Sequence, residues 1–247
     1  MKIDVLALFP SMFDAVMSES MMWKARQRGL LDFRAHDIRD HAIDKHRAVD
    51  DSPYGGGGGM ILKADVLVRA IEAVRPDDQT PVILMSPQGR LLTHRVAVDL
   101  SGADHLILVC GHYEGVDERV RQIAITDEIS IGDYVLTGGE LAAMVLIDAV
   151  VRQIPGVLGA EGAQDRDSHA EGLGGLLEGP HYTRPAAFRG LGIPSVLTSG
   201  HHAEVERWRR RQALKRTWQK RPDLLARADL SDEDRAFLAG LRDEAGG

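Results

Sequence analysis

The 247-residue chain contains a single cysteine, Cys110. One thiol cannot staple a fold or build a cysteine-based zinc site. No apolar run reaches the roughly 18 residues that a membrane span needs. Met1 to Pro10 lacks the long apolar core and small-residue cleavage site of a secretory signal. The expectation is therefore a cytoplasmic protein without a membrane partner. Nucleotide motifs are missing as well. Five glycines, Gly55 to Gly59, are followed by Met60-Ile61, where a phosphate loop needs Lys and Ser or Thr, and no G-x-G-x-x-G occurs. The glycine run reads either as a flexible connector or as bare backbone that can approach a bulky ligand closely. There is no G-x-S-x-G elbow for covalent catalysis. Ten histidines are present, but without H-E-x-x-H or an i, i+4 pair they predict no metal site.

Aromatic residues make up only 5% of the chain, and the net charge is −7. That charge argues against a nucleic-acid partner until its distribution is considered. Arg207 to Arg221 holds eight Lys and Arg and no acid, which leaves −15 on the remainder. A basic segment on an acidic protein can be a local footprint for a phosphate backbone. Trp208 and Trp218 lie inside it and read either as base-stacking rings or as packing residues of a small domain.

The first part of the chain alternates compact apolar runs with helical patterns. Ile3 to Phe9, Pro81 to Ser86 and His105 to Cys110 have strand length, and Leu30 to Ile38 reads as a strand nearer an edge. Ser11 is placed to cap a helix running toward Arg28, and Thr93 to Leu100 suggests a short helix. Leu141 to Val151 is too long for a strand and reads as a buried helix. Continuous apolar strands spaced by helices predict an α/β fold with a mostly parallel sheet covered on both faces. Residues 159–179 contain six Gly and five acids and read as a flexible linker. Beyond it, His201 to Gln219 predicts a basic helix, and Ser231 with Asp234 has capping-box spacing for a last one. The expected domains are 1–158, the linker 159–179, and a small all-helical domain over 180–247.

Ser86-Pro87-Gln88-Gly89 follows one strand and Gly111-His112-Tyr113-Glu114-Gly115 another, and a third Gly-bearing element, Ile131 to Gly139, leads into the buried helix. In open parallel sheets, ligands bind at the carboxyl ends of strands. Together the three predict a pocket for a flat, amphipathic ligand, though each alone is only a turn.

These strings, with Cys110 to Arg119, Ile131 to Glu140, Pro53 to Gly57, Ile154 to Gly159, Pro180 to Pro185 and Arg207-Trp208-Arg209, are similar in order to the bacterial tRNA (guanine-N1)-methyltransferases (TrmD). The resemblance implies a SPOUT-class α/β enzyme whose sheet ends in a C-terminal trefoil knot. It would transfer a methyl group from S-adenosylmethionine to N1 of the guanine at tRNA position 37, immediately 3′ of the anticodon. The cofactor would lie on Leu84, Met85, Ser86, Pro87, Gly111, Tyr113, Glu114, Ile131, Gly132, Tyr134, Leu136, Gly138 and Gly139. Asp167 would be the general base that takes the N1 proton, with Arg152 stabilising the charge that develops on O6. The tRNA would meet Tyr54, Gly57, Ser168 and Arg184, with Arg209, Arg210 and Lys215 of the basic helix. The resemblance further implies Mg²⁺, at no position that ligand spacing reveals, and a homodimer in which two subunits build each active site. His112 and Gly58 depart from the pattern, where relatives often carry Arg and Pro, and the stretch Gly172 to Leu177 is a little longer. A related enzyme modifying another nucleotide, or an inert RNA-binding relative, are the competing readings.

Overall fold

The computed structural model describes residues 1–159, 162 and 164–246. The chain divides into two units, Met1–Glu161 and Gly162–Gly247. In the first, β1 (Lys2–Ala7) leads through a 3-10 turn opened by Pro10 to α1 (Asp14–Met17), α2 (Ser20–Gln27) and β2 (Asp32–Asp37). A short ladder of β3 (Asp50–Asp51) and β4 (Ile61–Leu62) precedes α3 (Ala64–Val74) and β5 (Val82–Leu91). Then come α4 (His94–Ser101), β6 (His105–Cys110), α5 (Glu118–Ile123), β7 (Asp127–Ser130) and α6 (Glu140–Val151).

The main sheet has the order β2-β1-β6-β5-β7, and each of its pairings is parallel. β2 lies at the edge, where its alternation with charged neighbours placed it. Strand alternation splits the core in two. Ile3, Val5, Leu106, Leu108, Ile83 and Ile129 pack toward α2, α4 and α6. Leu6, Ile107, Val109, Val82 and Leu84 pack on the other side, with α3 and α5. The near-continuous apolar strands follow from burial on both faces.

A buried carboxylate sits inside this sheet. Asp4 is 1% exposed, and its carboxylate accepts from Lys2 Nζ at 2.8 Å, and lies 2.7 Å from both His36 Nε2 and His105 Nε2. Burial raises its pKa, but these partners outweigh that and hold it below the ordinary carboxylate value.

The expected helix from Ser11 to Arg28 is broken. Ser11 makes no cap, Ser18 Oγ donates back to the Ala15 carbonyl at 3.3 Å, and Ser20 takes a left-handed φ of 51°. Side-chain hydroxyls that compete for helical carbonyls favour such breaks. The strand preceding Ile131 to Gly139 is Asp127–Ser130, and the Gly-bearing stretch itself is a loop. Among the described residues no helix is long and apolar enough to cross a membrane.

The second unit is not all-helical as expected: a turn at Arg189-Gly190, both with positive φ, folds a two-stranded antiparallel ladder of β8 (Ala187–Phe188) and β9 (Leu191–Gly192), and α7 (His202–Lys220), α8 (Pro222–Leu225) and α9 (Asp232–Gly246) follow. Of the stretch expected as a flexible linker, residues 160, 161 and 163 lie outside the described residues, and 164–179 is folded into this unit. Leu176 is fully buried in a cluster with Ala213, Leu214 and Leu238. Leu177 N donates to Thr217 Oγ1 at 2.9 Å, and Arg216 donates to the Gly179 carbonyl at 3.0 Å. The glycines here serve geometry rather than flexibility. Gly174 and Gly175 have φ of 69° and 75°, and a Cβ on Gly172 would stand 2.5 Å from the Asp165 carbonyl oxygen. The capping box before α9 is made in both directions, Asp234 N to Ser231 Oγ at 3.2 Å and Ser231 N to Asp234 Oδ2 at 3.0 Å.

Candidate active site

At the carboxyl ends of β6 and β7 and at a bulge within β5, the three segments singled out in the sequence line one cleft. Its wall includes Leu84, Met85, Ser86, Pro87, Gly111, Tyr113, Glu114, Ile131, Gly132, Tyr134, Leu136, Gly138 and Gly139. Each residue the resemblance assigned to the cofactor therefore belongs to the same surface. His112, Val135 and Thr137 of those same segments line it too, and so do Val116, Arg121 and Ala142, which lie outside them.

The first wall is a bulge. Met85 and Arg90 both pair with Ile129, so Ser86 to Gly89 loop out of the strand before it rejoins β7. Gly89 makes this possible, because a Cβ there would stand 2.3 Å from the Glu128 carbonyl carbon. Ser86 Oγ accepts from Gln88 N at 3.1 Å and closes the turn. The second wall is the loop after β6, where Tyr113 adopts a φ of 61°. A bulky residue in the left-handed region is strained backbone, held by its surroundings. His112 packs between Phe9 and Tyr113, with ring centres 5.4 and 4.9 Å away. Asp117 ends this loop and caps α5 through Arg119 N at 2.9 Å. The Arg119 guanidinium holds its carboxyl down at about 2.

The third wall, residues 131–139, runs back across the end of β6. Gly139 N donates to the Gly111 carbonyl at 2.8 Å, and Gly138 bridges His112. A Cβ on Gly139 would lie 2.7 Å from Cys110 Cα, so the crossing requires glycine. Cys110 itself is fully buried, and burial beside Glu140 pushes its thiol well up.

The five glycines form the tip of the β3–β4 hairpin, and all five have positive φ, from 74° to 114°. The run is a shaped turn that other residues enter only with strain. It is tied to the cleft. Glu114 N donates to the Met60 carbonyl at 3.0 Å, and Leu62 N donates to the Gly115 carbonyl at 3.0 Å. Tyr54 stands fully exposed on this hairpin, and Gly57 is exposed too.

Arg152 closes α6 in the first unit. Asp167 follows a 3-10 turn in the second, its N–H donating to the Gln164 carbonyl at 3.3 Å. Next to it, Ser168 Oγ accepts from Glu178 N at 3.1 Å. Arg184 is exposed.

The basic helix is less bare than its sequence. Arg210 is spoken for within the unit: it pairs with Asp234 at 2.8 Å and donates to the Leu173 and Asp229 carbonyls at 2.8 and 3.1 Å. Burial raises the Asp234 pKa, but Arg210 and Ser231 bring it below the ordinary range. Arg209 pairs with Glu206 at 2.6 Å, and Arg211 reaches Glu233 at 3.4 Å. Acids from α9 thus neutralise part of the run, which a linear reading of charge missed. Arg209 and Lys215 remain exposed. Trp218 packs into the unit's small core, and Trp208 faces Tyr182 at 6.4 Å.

The profile of the family described as tRNA (Guanine-1)-methyltransferase TrmD matches residues 1–227. The chain belongs to this family. It is 56% identical over 245 residues to the tRNA (guanine-N(1)-)-methyltransferase of Geobacter sulfurreducens, covering 99% of each chain. The relative of the same name in Moorella thermoacetica is 57% identical over 242 residues, 96% of this chain and 95% of that one. That of Brevibacillus brevis is 53% identical over 244 residues, 99% of each. As a tRNA (guanine-N1)-methyltransferase, the chain is an enzyme, and its α/β sheet is the one the family led us to expect.

Proposed function

We propose that the chain transfers the methyl group of S-adenosylmethionine to N1 of the guanine at tRNA position 37. The observation that carries this reading is the convergence of the three loops on one cleft, in a chain of this family. The cleft's chemistry suits the donor. Leu84, Met85, Pro87, Ile131, Leu136 and Ala142 offer apolar surface to a flat ring, and Gly111 leaves backbone open beside it. Adding a Cβ at Gly111 meets nothing nearer than 3.8 Å. Bound there, S-adenosylmethionine supplies an electrophilic methyl group that needs placement rather than activation.

The chain's own residues do the rest. Guanine N1 carries a proton and is a poor nucleophile until it leaves. Asp167 takes that proton as general base. Negative charge then builds on O6, where the Arg152 guanidinium stabilises it. Ser168, Arg184, Tyr54 and Gly57 contact the tRNA around the target. Arg209 and Lys215 of α7 track its phosphates, while Arg210 braces α7 against α9. Among the described residues no three His, Cys, Asp or Glu side chains come together to hold a metal, so the Mg²⁺ that the resemblance implies is assigned no residues.

The chain works as a homodimer, the donor cleft of one copy being completed by Asp167 and the basic helix of the other. A supporting feature is α6, which leaves Leu141 and Val145, one turn apart, about half exposed, with Val135 at 82%. A trefoil knot is supported by the 131–139 segment crossing the end of β6 at Gly111 and Gly139.

The test is transfer of labelled methyl from S-adenosylmethionine to a tRNA transcript, run beside calorimetric titration with the donor. Leu136→Lys places a cation in the cleft at a partly exposed position and should weaken donor binding about tenfold or more. Unchanged donor affinity in that variant would place the donor elsewhere.

A further inference from the structure

The β8–β9 hairpin carries an uncovered apolar face. Phe188 and Leu191 are direct cross-strand partners, so their side chains stand side by side. They are 62% and 77% exposed. Arg189 and Gly190 form the two-residue turn between them, with φ of 50° and 81°, a geometry that fits the twist of the flanking strands. The Ile193 N–H donates to the Ala186 carbonyl at 3.0 Å and extends the ladder. The tip is therefore shaped in advance.

The Arg189 guanidinium lies 5.3 Å from the centre of the Phe188 ring. Residues 181–192 are all exposed, and from His181 to Ile193 there is no acid, only Arg184 and Arg189. Tyr182, ahead of the hairpin in the same exposed segment, faces Trp208 of α7 at 6.4 Å. In a chain with 5% aromatics, a ring and a leucine held in water beside a guanidinium need a function. A ring face with adjacent cationic charge fits an unpaired nucleobase and its phosphate.

We propose that the β8–β9 tip is a stacking platform for an unpaired base of the tRNA, with Phe188 supplying the ring and Arg189 the charge toward the backbone. The proposal rests on the tRNA reading above and deepens it by naming a contact. Positive charge without acids favours RNA over a second copy of this acidic chain as the occupant.

Filter binding of an unmodified tRNA transcript to the full-length protein, at several salt concentrations, tests it. Phe188→Leu keeps an apolar group but removes the π face, and Phe188→Trp enlarges it. Phe188→Leu should weaken binding about tenfold, the worth of one stacked base. Its salt slope should match wild type, because no phosphate contact is lost. Phe188→Trp should bind at least as tightly as wild type. Phe188→Leu binding like wild type, with wild type binding normally, would overturn the platform and leave the function standing. A loss of binding that follows dissociation of the protein in sedimentation velocity would also overturn it, assigning the tip to a second copy. Wild-type protein that binds no tRNA would overturn both.

Discussion

Adding one methyl group at Gly139 probes how tightly the cleft is assembled. The backbone there has a φ of −80°, which alanine adopts freely, so any effect of Gly139→Ala is steric. The new Cβ would stand 2.7 Å from Cys110 Cα and 3.0 Å from Gly111 N. Both belong to backbone at the end of a buried strand, which cannot rotate aside. Ordinary carbon contacts begin at about 3.5 Å, so the crossing loop has to retreat by roughly 1 Å. The retreat lengthens the 2.8 Å hydrogen bond from Gly139 N to the Gly111 carbonyl. Overpacking costs about 1–3 kcal/mol and the weakened bond about 1 more, so the variant should lose about 2–4 kcal/mol. For a unit of this size that is roughly 4–16 °C in melting temperature. Gly111→Ala is the control: its Cβ meets nothing nearer than 3.8 Å, and it should melt within roughly 2 °C of wild type. Melting followed by circular dichroism compares the two. Equal stability of Gly139→Ala and Gly111→Ala would refute the argument that the loops are locked at this crossing.

The other expectations concern charge. Asp167→Ala should lower turnover by about 10²–10⁴ while calorimetry shows unchanged donor affinity; near-normal turnover would remove Asp167 as the base. Asp4→Asn strands Lys2, His36 and His105 around a neutral amide and should cost about 3 kcal/mol at pH 7 in urea unfolding. The folded Asp4 pKa is depressed, so its contribution is present above the unfolded value near 3.8 and fades as pH falls through the folded value. The gap between wild type and variant should narrow only below about pH 4; a gap that closes nearer pH 6 would contradict this. Arg210→Ala frees Asp234 and two carbonyls, and should destabilise the second unit by about 2–4 kcal/mol. Lys215→Ala should leave stability unchanged and reduce the salt slope of tRNA binding by about one. Arg210→Ala with normal stability and a reduced slope would show that it faces the RNA.

Much of the first unit was legible because its signals are local. β6 and the core of β5 are apolar runs buried on both faces, and the short helix expected over Thr93 to Leu100 forms as α4, with Thr93 capping it through Val96 N. The three loops could be placed on a common edge because a parallel sheet puts strand ends together. Distance in sequence hid the rest. The bulge from Ser86 to Gly89 depends on β7, and the need for glycine at 139 depends on Cys110. Glycine content misled over 164–179, since Gly172, Gly174 and Gly175 meet conformational and packing demands set by Asp165 and the local turns, while Leu176 anchors the segment. The charge run on α7 was overestimated for a similar reason: Glu233 and Asp234, which neutralise part of it, sit on another helix. Asp167 and Arg152 carry no local signal of chemistry, and only the family resemblance pointed to them.

The central claim, methyl transfer to the guanine 3′ of the anticodon, is tested most directly with a pair of unmodified transcripts that differ at tRNA position 37. One carries guanine there and the other adenosine, and both receive labelled methyl donor and wild-type protein. Label on the guanine transcript alone is the expected result. Equal label on both would contradict the account, because the target would then lie at another nucleotide.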